Sequence, residues 1–156
     1  MKRLLFDINV ILDVLLDRGP HADAASEVWG SVEDGRALGL LSAHAVTTIH
    51  CLNAREVGPQ RARRTTDALL SVFDIAPVDR QVLLSAVALS WGHFEDAVTA
   101  AAAQRAKCDA LVTRNPKDFK GSPVRILTPV EVLPWLSPAG PRAVSALPSR
   151  RPRSPR

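Results

Sequence analysis

The sequence predicts an α/β fold, a three-layer α-β-α sandwich around a central parallel sheet. Short apolar segments alternate with longer helical patterns along the chain, which is typical of strand–helix–strand units. Residues 4–6 are apolar without alternation, as expected of a strand buried on both faces. This strand ends abruptly at Asp7, and open α/β sheets bind ligands at the carboxyl ends of their strands.

The first part of the chain contains two predicted strands and three helices. In order, they are a strand at residues 4–6, helices at residues 10–16 and 21–33, a strand at residues 37–41, and a helix that begins after Ser42. Apolar residues at helical spacing indicate the helices, and Asp34-Gly35 is a turn signal before the second strand. Ser42 is expected to cap the helix that follows it.

The second part continues the alternation. In order, the predicted elements are a helix from Pro59 to about residue 70, a strand at residues 73–78, helices at residues 80–90 and 94–107, strands at residues 110–113 and 124–127, and a helix at residues 129–136. Proline at position 59 suits a first helical turn, and Asp79 is expected to cap the helix after it. No internal repeat is present.

Charge separates a body from a tail. Residues 137–156 contain five arginines, no acids and five of the twelve prolines, so we predict a disordered basic tail after a single domain of residues 1–136. Without those five arginines the overall charge of +4 becomes 15 basic against 16 acidic residues, a net of −1. The tail is either a solvated extension or a nucleic-acid-binding arm.

The remaining composition indicates a soluble cytoplasmic protein. No apolar stretch reaches the roughly 18 residues of a membrane span, and the N-terminus has no signal-peptide pattern. The two cysteines, Cys51 and Cys108, fall in helix-like segments without CxxC spacing, so free thiols are expected. The histidines His44, His50 and His93 show no metal-binding spacing, and we expect each to be neutral and hydrogen-bonded.

Oxygen-bearing side chains recur at one predicted edge of the sheet. Asp7 follows the first strand, Glu95 and Asp96 begin the alanine-rich helix, and Asn115 and Asp118 follow a late strand. Right-handed crossovers bring these positions to one rim, where they would provide the hard oxygen ligands that Mg²⁺ or Mn²⁺ prefers. Each acid taken singly is more often structural, as a helix cap or a complement to a helix dipole, but the three positions together favour a metal site.

Three segments together resemble the successive motifs of PIN domains: residues 6–13 (FDINVILD), 94–97 (FEDA) and 112–119 (VTRNPKDF). Many bacterial PIN domains are VapC-type toxins, Mg²⁺-dependent endoribonucleases that a partner antitoxin neutralises. The resemblance implies that residues 1–136 are a PIN-like domain, with Asp7 and Asp96 as metal ligands and Asp118 or Asn115 completing the catalytic acidic cluster. It also implies an RNA substrate, a cognate antitoxin and a homodimer.

The same resemblance assigns supporting roles around the metal. Asn9 would orient Asp7, Thr113 would line the site, and Glu95 would be either a ligand or a supporting group. Thr48 stands where many PIN domains have a further acid, and it is expected near the site. Arg61 and Arg64, with Arg114 and Lys117 beside the third motif, are expected to bind RNA through phosphates.

Three departures leave an alternative open. Besides Thr48, His93 and Asn115 stand where related sequences often have aspartates, and fewer negative charges hold a divalent ion less tightly. The alternative is a degenerate, non-catalytic PIN domain that acts as a partner- or RNA-binding module. A phosphotransfer domain would also use an aspartate after the first strand, but its expected second acid close to Asp7 is missing, since Asp13 lies more than a helical turn away.

Overall fold

The computed structural model describes residues 1–136, so the predicted tail at residues 137–156 lies outside the described residues. The strands are β1 (Lys2–Phe6), β2 (Ala37–Ser42), β3 (Asp74–Ala76), β4 (Ala110–Val112) and β5 (Ile126–Leu127). They form one sheet in the order β3-β2-β1-β4-β5, with every neighbouring pair parallel. The predicted α/β fold with a central parallel sheet is therefore confirmed.

Helices cover both faces of this sheet. They are α1 (Ile8–Leu15), α2 (Ala22–Glu33), α3 (Ala43–Val57), α4 (Pro59–Val72), α5 (Arg80–Leu89), α6 (Phe94–Arg105) and α7 (Pro129–Trp135), with a 3-10 helix at Pro116–Phe119. Buried residues of α1, α2, α3, α4 and α7 share one core, and those of α5 and α6 share the other. These two cores define the three layers.

The central strand β1 supplies both cores. Leu4 and Phe6 face the first core and Leu5 faces the second, all with 1% exposure or less. Successive side chains of a strand point to opposite faces, so an unbroken apolar run is what a doubly covered strand requires. The residue that follows this run, Asp7, is thereby held at the carboxyl edge of the sheet.

Glycine at position 39 allows β2 and the chain after α4 to pack closely. A Cβ at that position would lie 2.6 Å from Cδ1 of Phe73 and 2.9 Å from Cγ1 of Val32, closer than carbon atoms can approach without a shift. The Phe73 ring also contacts Phe6 and Trp29 edge-on, at centroid distances of 5.3 and 5.1 Å. Such edge-to-face pairs are favourable beyond the area they bury.

Several predicted boundaries were wrong for identifiable reasons. Helix α1 begins at Ile8 rather than at residue 10, because Asp7 already caps it. Strand β3 has three residues, since Phe73 turns into the core and Pro77 has no N–H for a sheet ladder. Ser42 precedes α3 but makes no capping hydrogen bond. Cys108 follows α6 instead of lying in it.

Other local predictions are confirmed. Asp79 caps α5 by accepting a hydrogen bond from the Val82 N–H at 3.0 Å, and both cysteines are free thiols. His50 is hydrogen-bonded as expected, its Nδ1 lying 2.8 Å from the Thr66 hydroxyl. Among residues 1–136, every helix is too short or too polar to cross a membrane.

Candidate metal centre at the carboxyl edge of the sheet

The strand order places a topological switch point beside Asp7. Strand β1 lies between β2, which follows it in the chain, and β4, which comes late. The connections after β1 and β4 leave the sheet in opposite directions, because α1 belongs to the first core and the 3-10 helix packs Phe119 into the second. Such a switch point is where open α/β sheets bind ligands.

Asp7 is fixed by three neighbours at this switch point. Its backbone N–H donates to the Val112 carbonyl at 2.9 Å, which continues the pairing of β1 with β4. Its carboxylate Oδ1 accepts from the Ile8 N–H at 2.8 Å, and Oδ2 accepts from the Thr113 hydroxyl at 2.9 Å. The carboxylate therefore caps α1 and is also tied to β4.

The surroundings of the Asp7 carboxyl disfavour its charged form. Burial raises its pKa from 3.8 to about 6, the Thr113 and Ile8 hydrogen bonds oppose that rise, and the charges of Asp96 and Asp118 add to it. Asp7 is 8% exposed and has no ion-pair partner among residues 1–136. A buried acid beside other acids, without a cation, is a common mark of a functional site.

Asp96 is the second member of the acidic site. It lies in the first turn of α6, and its pKa is raised by burial and by the charges of Asp118 and Glu95, while His93 acts in the opposite sense. The charges of Asp96 and Asp118 thus act on Asp7, and that of Asp118 acts on Asp96, although the three residues belong to three separate segments. The structure brings together the three aspartates that the sequence predicted.

The carboxylates of this edge are neighbours without forming a compact cage. No three His, Cys, Asp or Glu side chains of residues 1–136 are grouped closely enough to hold a metal ion. Glu95 and Asp118 are exposed and therefore free to change rotamer, whereas Asp7 is fixed. The possible ligands of this site are all hard oxygen donors, and a bound cation would compensate the charge of Asp7. The chemistry of these carboxylates therefore fits Mg²⁺ or Mn²⁺.

Two amides, Asn9 and Asn115, were expected to contribute to the acidic site. Asn9, predicted to orient Asp7, makes no hydrogen bond to it within the described residues; Ile8 and Thr113 do so instead. The side chain of Asn115 is exposed, and its backbone N–H donates to the Thr113 hydroxyl at 3.1 Å. Thr113 therefore links the Asn115–Asp118 turn to Asp7, and this is the fully buried hydroxyl at the centre of the site.

Thr48 and His44 lie at the start of α3. The Thr48 hydroxyl donates to the His44 carbonyl oxygen at 3.4 Å, the back-bonding common for threonine in a helix. His44 Nε2 is 3.5 Å from the Thr99 hydroxyl of α6, and its Nδ1 is buried without a hydrogen-bond partner among residues 1–136. Burial lowers the pKa of His44, and the Glu95 charge opposes this.

His44 is one of the residues near this site whose position the sequence did not predict. It lies on α3, one turn before Thr48, and its ring faces Thr99 of α6. It therefore connects the helix of Thr48, where many PIN domains have a further acid, to the helix of Asp96. Its only sequence signal was a histidine immediately after a strand end. The ring is hydrogen-bonded through Nε2, as expected, while its Nδ1 is unpaired in the described part.

The predicted basic residues occupy two separate places. Arg114 lies beside the site, where its Nη1 is 3.3 Å from Oδ1 of Asp13, and Lys117 is exposed on the 3-10 helix. Arg61 and Arg64 line a different hollow, at the turn between α3 and α4. The pairing of Arg114 with the buried Asp13 was not predicted, because the two residues come from opposite ends of the domain.

Comparison with known proteins identifies the family. The PIN domain family matches residues 3–117 of the chain, and the fold and the acidic edge agree with that match. The chain belongs to the PIN domain family. No curated protein matches it significantly.

Solved structures with the same fold include toxins. A toxin–antitoxin complex from Klebsiella pneumoniae is 27% identical, with a TM-score of 0.62 over 81% of this chain and 97% of that one. A DNA-bound VapBC from Salmonella typhimurium is 16% identical, with a TM-score of 0.65 over 83% and 99%. The Mycobacterium tuberculosis toxin VapC20, which cleaves the sarcin–ricin loop, is 15% identical, with a TM-score of 0.57 over 69% and 86%. The last two likenesses show the fold alone.

Proposed function

We propose that this PIN domain is an endoribonuclease that hydrolyses RNA phosphodiester bonds with Mg²⁺ or Mn²⁺, and that it is the toxin of a toxin–antitoxin pair. The observation that carries the proposal is the state of Asp7, a buried carboxylate near Asp96 and Asp118 whose pKa is raised to about 6. A site built only for stability would not place two acids beside a buried one, because like charges destabilise the folded chain.

Asp7 and Asp96 would hold the ion, with Asp118 or Asn115 completing its ligands. The bound ion would supply an activated water and would neutralise charge on the phosphate. Asp7 is presented in a fixed orientation by Ile8 and Thr113, so its carboxylate needs little reorganisation to bind. Asp118 and Glu95 are exposed, so they are free to turn inward when the ion or the substrate arrives.

The basic residues support an RNA substrate. Lys117 is exposed one residue before Asp118, where its charge would attract phosphate toward an acidic edge that otherwise repels it. Arg114 lies next to Thr113 in the chain. Contacts of lysine and arginine with phosphates give affinity without sequence choice, and none of these groups is needed as a nucleophile, since a water takes that role in metal-assisted hydrolysis.

The partners in this proposal are an antitoxin protein and a second copy of the chain. The antitoxin is supported by the 27% identical chain from a toxin–antitoxin complex, whose match covers 81% of the present chain. The second copy is supported by exposed apolar side chains on α5, where Leu83, Leu84 and Val87 are 41%, 50% and 63% exposed. A cytoplasmic location agrees with an RNA substrate.

A second candidate function is a non-catalytic PIN domain that binds RNA or a protein partner. The observation that favours it is the absence, within residues 1–136, of three grouped metal-binding side chains. The Thr48 hydroxyl bonds back to its own helix, so it also offers no replacement for the acid that stands there in many PIN domains.

One experiment separates the two functions. The full chain is incubated with a mixed-sequence RNA in Mg²⁺, in Mn²⁺ and in EDTA, and the variants Asp7→Asn, Asp96→Asn and Asp67→Asn are compared with it. Asp67 is exposed on α4 and serves as the matched control. We expect cleavage only with a divalent ion, a loss of at least about 100-fold in the first two variants, and no loss in the control. Activity that persists in EDTA or in Asp7→Asn would refute the nuclease mechanism.

A further inference from the structure

The ion pair between Arg114 and Asp13 attaches the segment after β4 to helix α1. Nη1 of Arg114 lies 3.3 Å from Oδ1 of Asp13. Arg114 follows Thr113 directly in the chain, and the Thr113 hydroxyl donates to the carboxylate of Asp7. Asp7 caps the start of α1, and Asp13 lies in the second half of the same helix. The segment is therefore attached to α1 at two points.

Two attachments restrict the segment more than one does. The distance along α1 from Asp7 to Asp13 is about 9 Å, at about 1.5 Å per residue. A segment held to α1 only by the Thr113 hydroxyl could rotate about that hydrogen bond. A second contact at this distance opposes the rotation, so the pair fixes the orientation of the segment as well as its position.

The segment that is held in this way carries Asp118 of the acidic site. Residues 115–118 are exposed, and within them the Asp118 N–H donates to the Asn115 carbonyl oxygen at 3.1 Å. The residue that follows, Phe119, is buried in the second core. Arg114 thus anchors the start of an exposed turn, and Phe119 anchors its end.

Asp13 is a poor choice of residue if stability alone is considered. Its side chain is 1% exposed, the three residues before it in α1 are buried and apolar, and Oδ1 accepts no hydrogen bond within the described residues. Removing a carboxylate and a guanidinium from water is costly, and replacing a buried ion pair by apolar residues is often neutral or stabilising. The pair therefore indicates a role other than stability.

Arg114 is also not the only cation beside Asp13. Nη1 of Arg18 lies 4.0 Å from the same Oδ1, and the Arg18 backbone N–H donates to the Asp13 carbonyl oxygen at 3.0 Å. Arg18 is thus the local partner, from the chain just after α1, and Arg114 is the partner from the far end of the domain. The Arg114 side chain is 25% exposed, so most of it contacts protein.

We infer that Asp13 and Arg114 are positioning residues of the acidic site, which hold the turn with Asp118 against α1, and that Arg114 does not bind RNA phosphates. The inference deepens the proposed function and rests on it for the role of Asp118. It leaves Lys117 as the exposed cation of this turn. Replacing residues that orient metal ligands commonly weakens metal binding or activity by about 10- to 100-fold.

The first measurement is the order of the turn in the metal-free protein. Backbone ¹⁵N order parameters are measured in EDTA for the full chain and for Asp13→Leu/Arg114→Met, which replaces both charges by apolar side chains. Arg61→Met, at an exposed position of α4, is the control. We expect the values at residues 115–118 to fall from about 0.85 toward about 0.6 in the double variant only. Unchanged values would overturn the inference.

The second measurement is the affinity for Mn²⁺ alone, by calorimetry without RNA. We expect binding about tenfold weaker in the double variant, with a urea midpoint equal to that of the parent or higher. An unchanged Mn²⁺ affinity would overturn the inference, and so would a double variant that fails to fold, because the pair would then serve the fold itself. If the parent binds no Mn²⁺, the proposed metal centre is refuted, and the order parameters still decide the inference.

The third measurement separates positioning from RNA contact. The double variant has the same net charge as the parent, so its binding to a mixed-sequence RNA in EDTA reports contacts rather than overall charge. We expect the same dependence of the association constant on salt, whereas Lys117→Met should make the plot of log association constant against log salt concentration shallower by about 0.7. A slope that is equally shallow in the double variant would show that Arg114 binds phosphate, and would overturn the inference.

Discussion

The hydroxyl of Thr113 donates a 2.9 Å hydrogen bond to Oδ2 of Asp7, across 106 residues of sequence. The same hydroxyl accepts the N–H of Asn115 at 3.1 Å. A single fully buried side chain thus joins the first strand, the fourth strand and the turn that carries Asp118. The orientation of the acidic site depends on this residue as much as on the acids themselves.

Thr113→Val tests that dependence, because valine keeps the shape and removes the hydroxyl. We expect the Asp7 pKa to rise above 6, since a hydrogen bond that favours the charged form is lost, and the free energy of unfolding at neutral pH to fall by about 1.5–3 kcal/mol. The pKa is measured by NMR titration of the Asp7 carboxyl carbon. Thr65→Val, which removes a hydroxyl that donates to the Arg61 carbonyl oxygen within its own helix, is the control. An unchanged Asp7 titration would show that Thr113 merely packs there.

The raised pKa of Asp7 predicts a pH dependence of stability. In the folded chain this carboxyl keeps its proton up to about pH 6, whereas in the unfolded chain it loses the proton near 3.8. Between these pH values the folded state binds more protons, so this group's contribution to the free energy of unfolding falls as the pH rises. Above about pH 6 this loss of stability is complete. It amounts to at most about 3 kcal/mol, because a shift of one pKa unit corresponds to about 1.36 kcal/mol.

Asp7→Asn should remove that loss. Asparagine retains the ability to cap α1 and carries no charge, so we expect the metal-free variant to be more stable than the parent by about 1–3 kcal/mol at pH 7.5, with a much smaller difference at pH 4. Urea unfolding in EDTA at both pH values measures this. Mg²⁺ should then stabilise the parent and not the variant. A variant less stable than the parent at pH 7.5 would contradict the electrostatic account.

Thr48→Glu tests whether the start of α3 faces the metal centre. We expect about tenfold tighter Mg²⁺ binding by calorimetry, because a charged oxygen donor is added to a site short of them, and a small loss of metal-free stability from repulsion among the acids. Thr47→Glu is the matched control, since Thr47 is the neighbouring residue and is exposed. Unchanged Mg²⁺ affinity with reduced stability would show that Thr48 only bonds back to its helix, as its 3.4 Å contact with His44 indicates.

The basic tail gives a prediction about salt. Residues 137–156 contain five arginines and no acid. Each phosphate of a single-stranded RNA that the protein neutralises makes the plot of log association constant against log salt concentration steeper by about 0.7. We expect the full chain to have a slope steeper by up to about 3.5 than a chain that ends at Leu136. Both proteins should have the same thermal midpoint. Identical slopes would mean that the tail does not contact RNA.

The features that the sequence predicted have local causes. Asp79 caps α5 because a cap needs only a carboxylate two or three residues before the amides it binds, and β1 was recognisable because a doubly buried strand needs consecutive apolar residues. The acids Asp7, Asp96 and Asp118 could be assigned to one edge because parallel strands fix where the following residues lie. These predictions required no knowledge of side-chain packing.

The features that were missed depend on contacts between distant residues. Asp13 lies in an apolar helix, and no residue near it in the sequence indicates that Arg114 is its ion-pair partner. Asn9 matched a motif, but the actual donors to Asp7 were decided by which groups β4 brings to β1. Ser42 had the right type and position for a cap, and the hydroxyl is nevertheless buried without a hydrogen bond in the described part.

The position of β1 at the centre of the sheet has a consequence for synthesis of the chain. Asp7 is made before its neighbours Thr113 and Asp118, which come late in the domain, and β1 has an open side until β4 joins it. During translation of most of the domain, the growing polypeptide therefore contains Asp7 without the other acids of the site. For the ribonuclease proposed above, this order delays activity until the segment with Thr113 and Asp118 has been synthesised and β4 has joined β1.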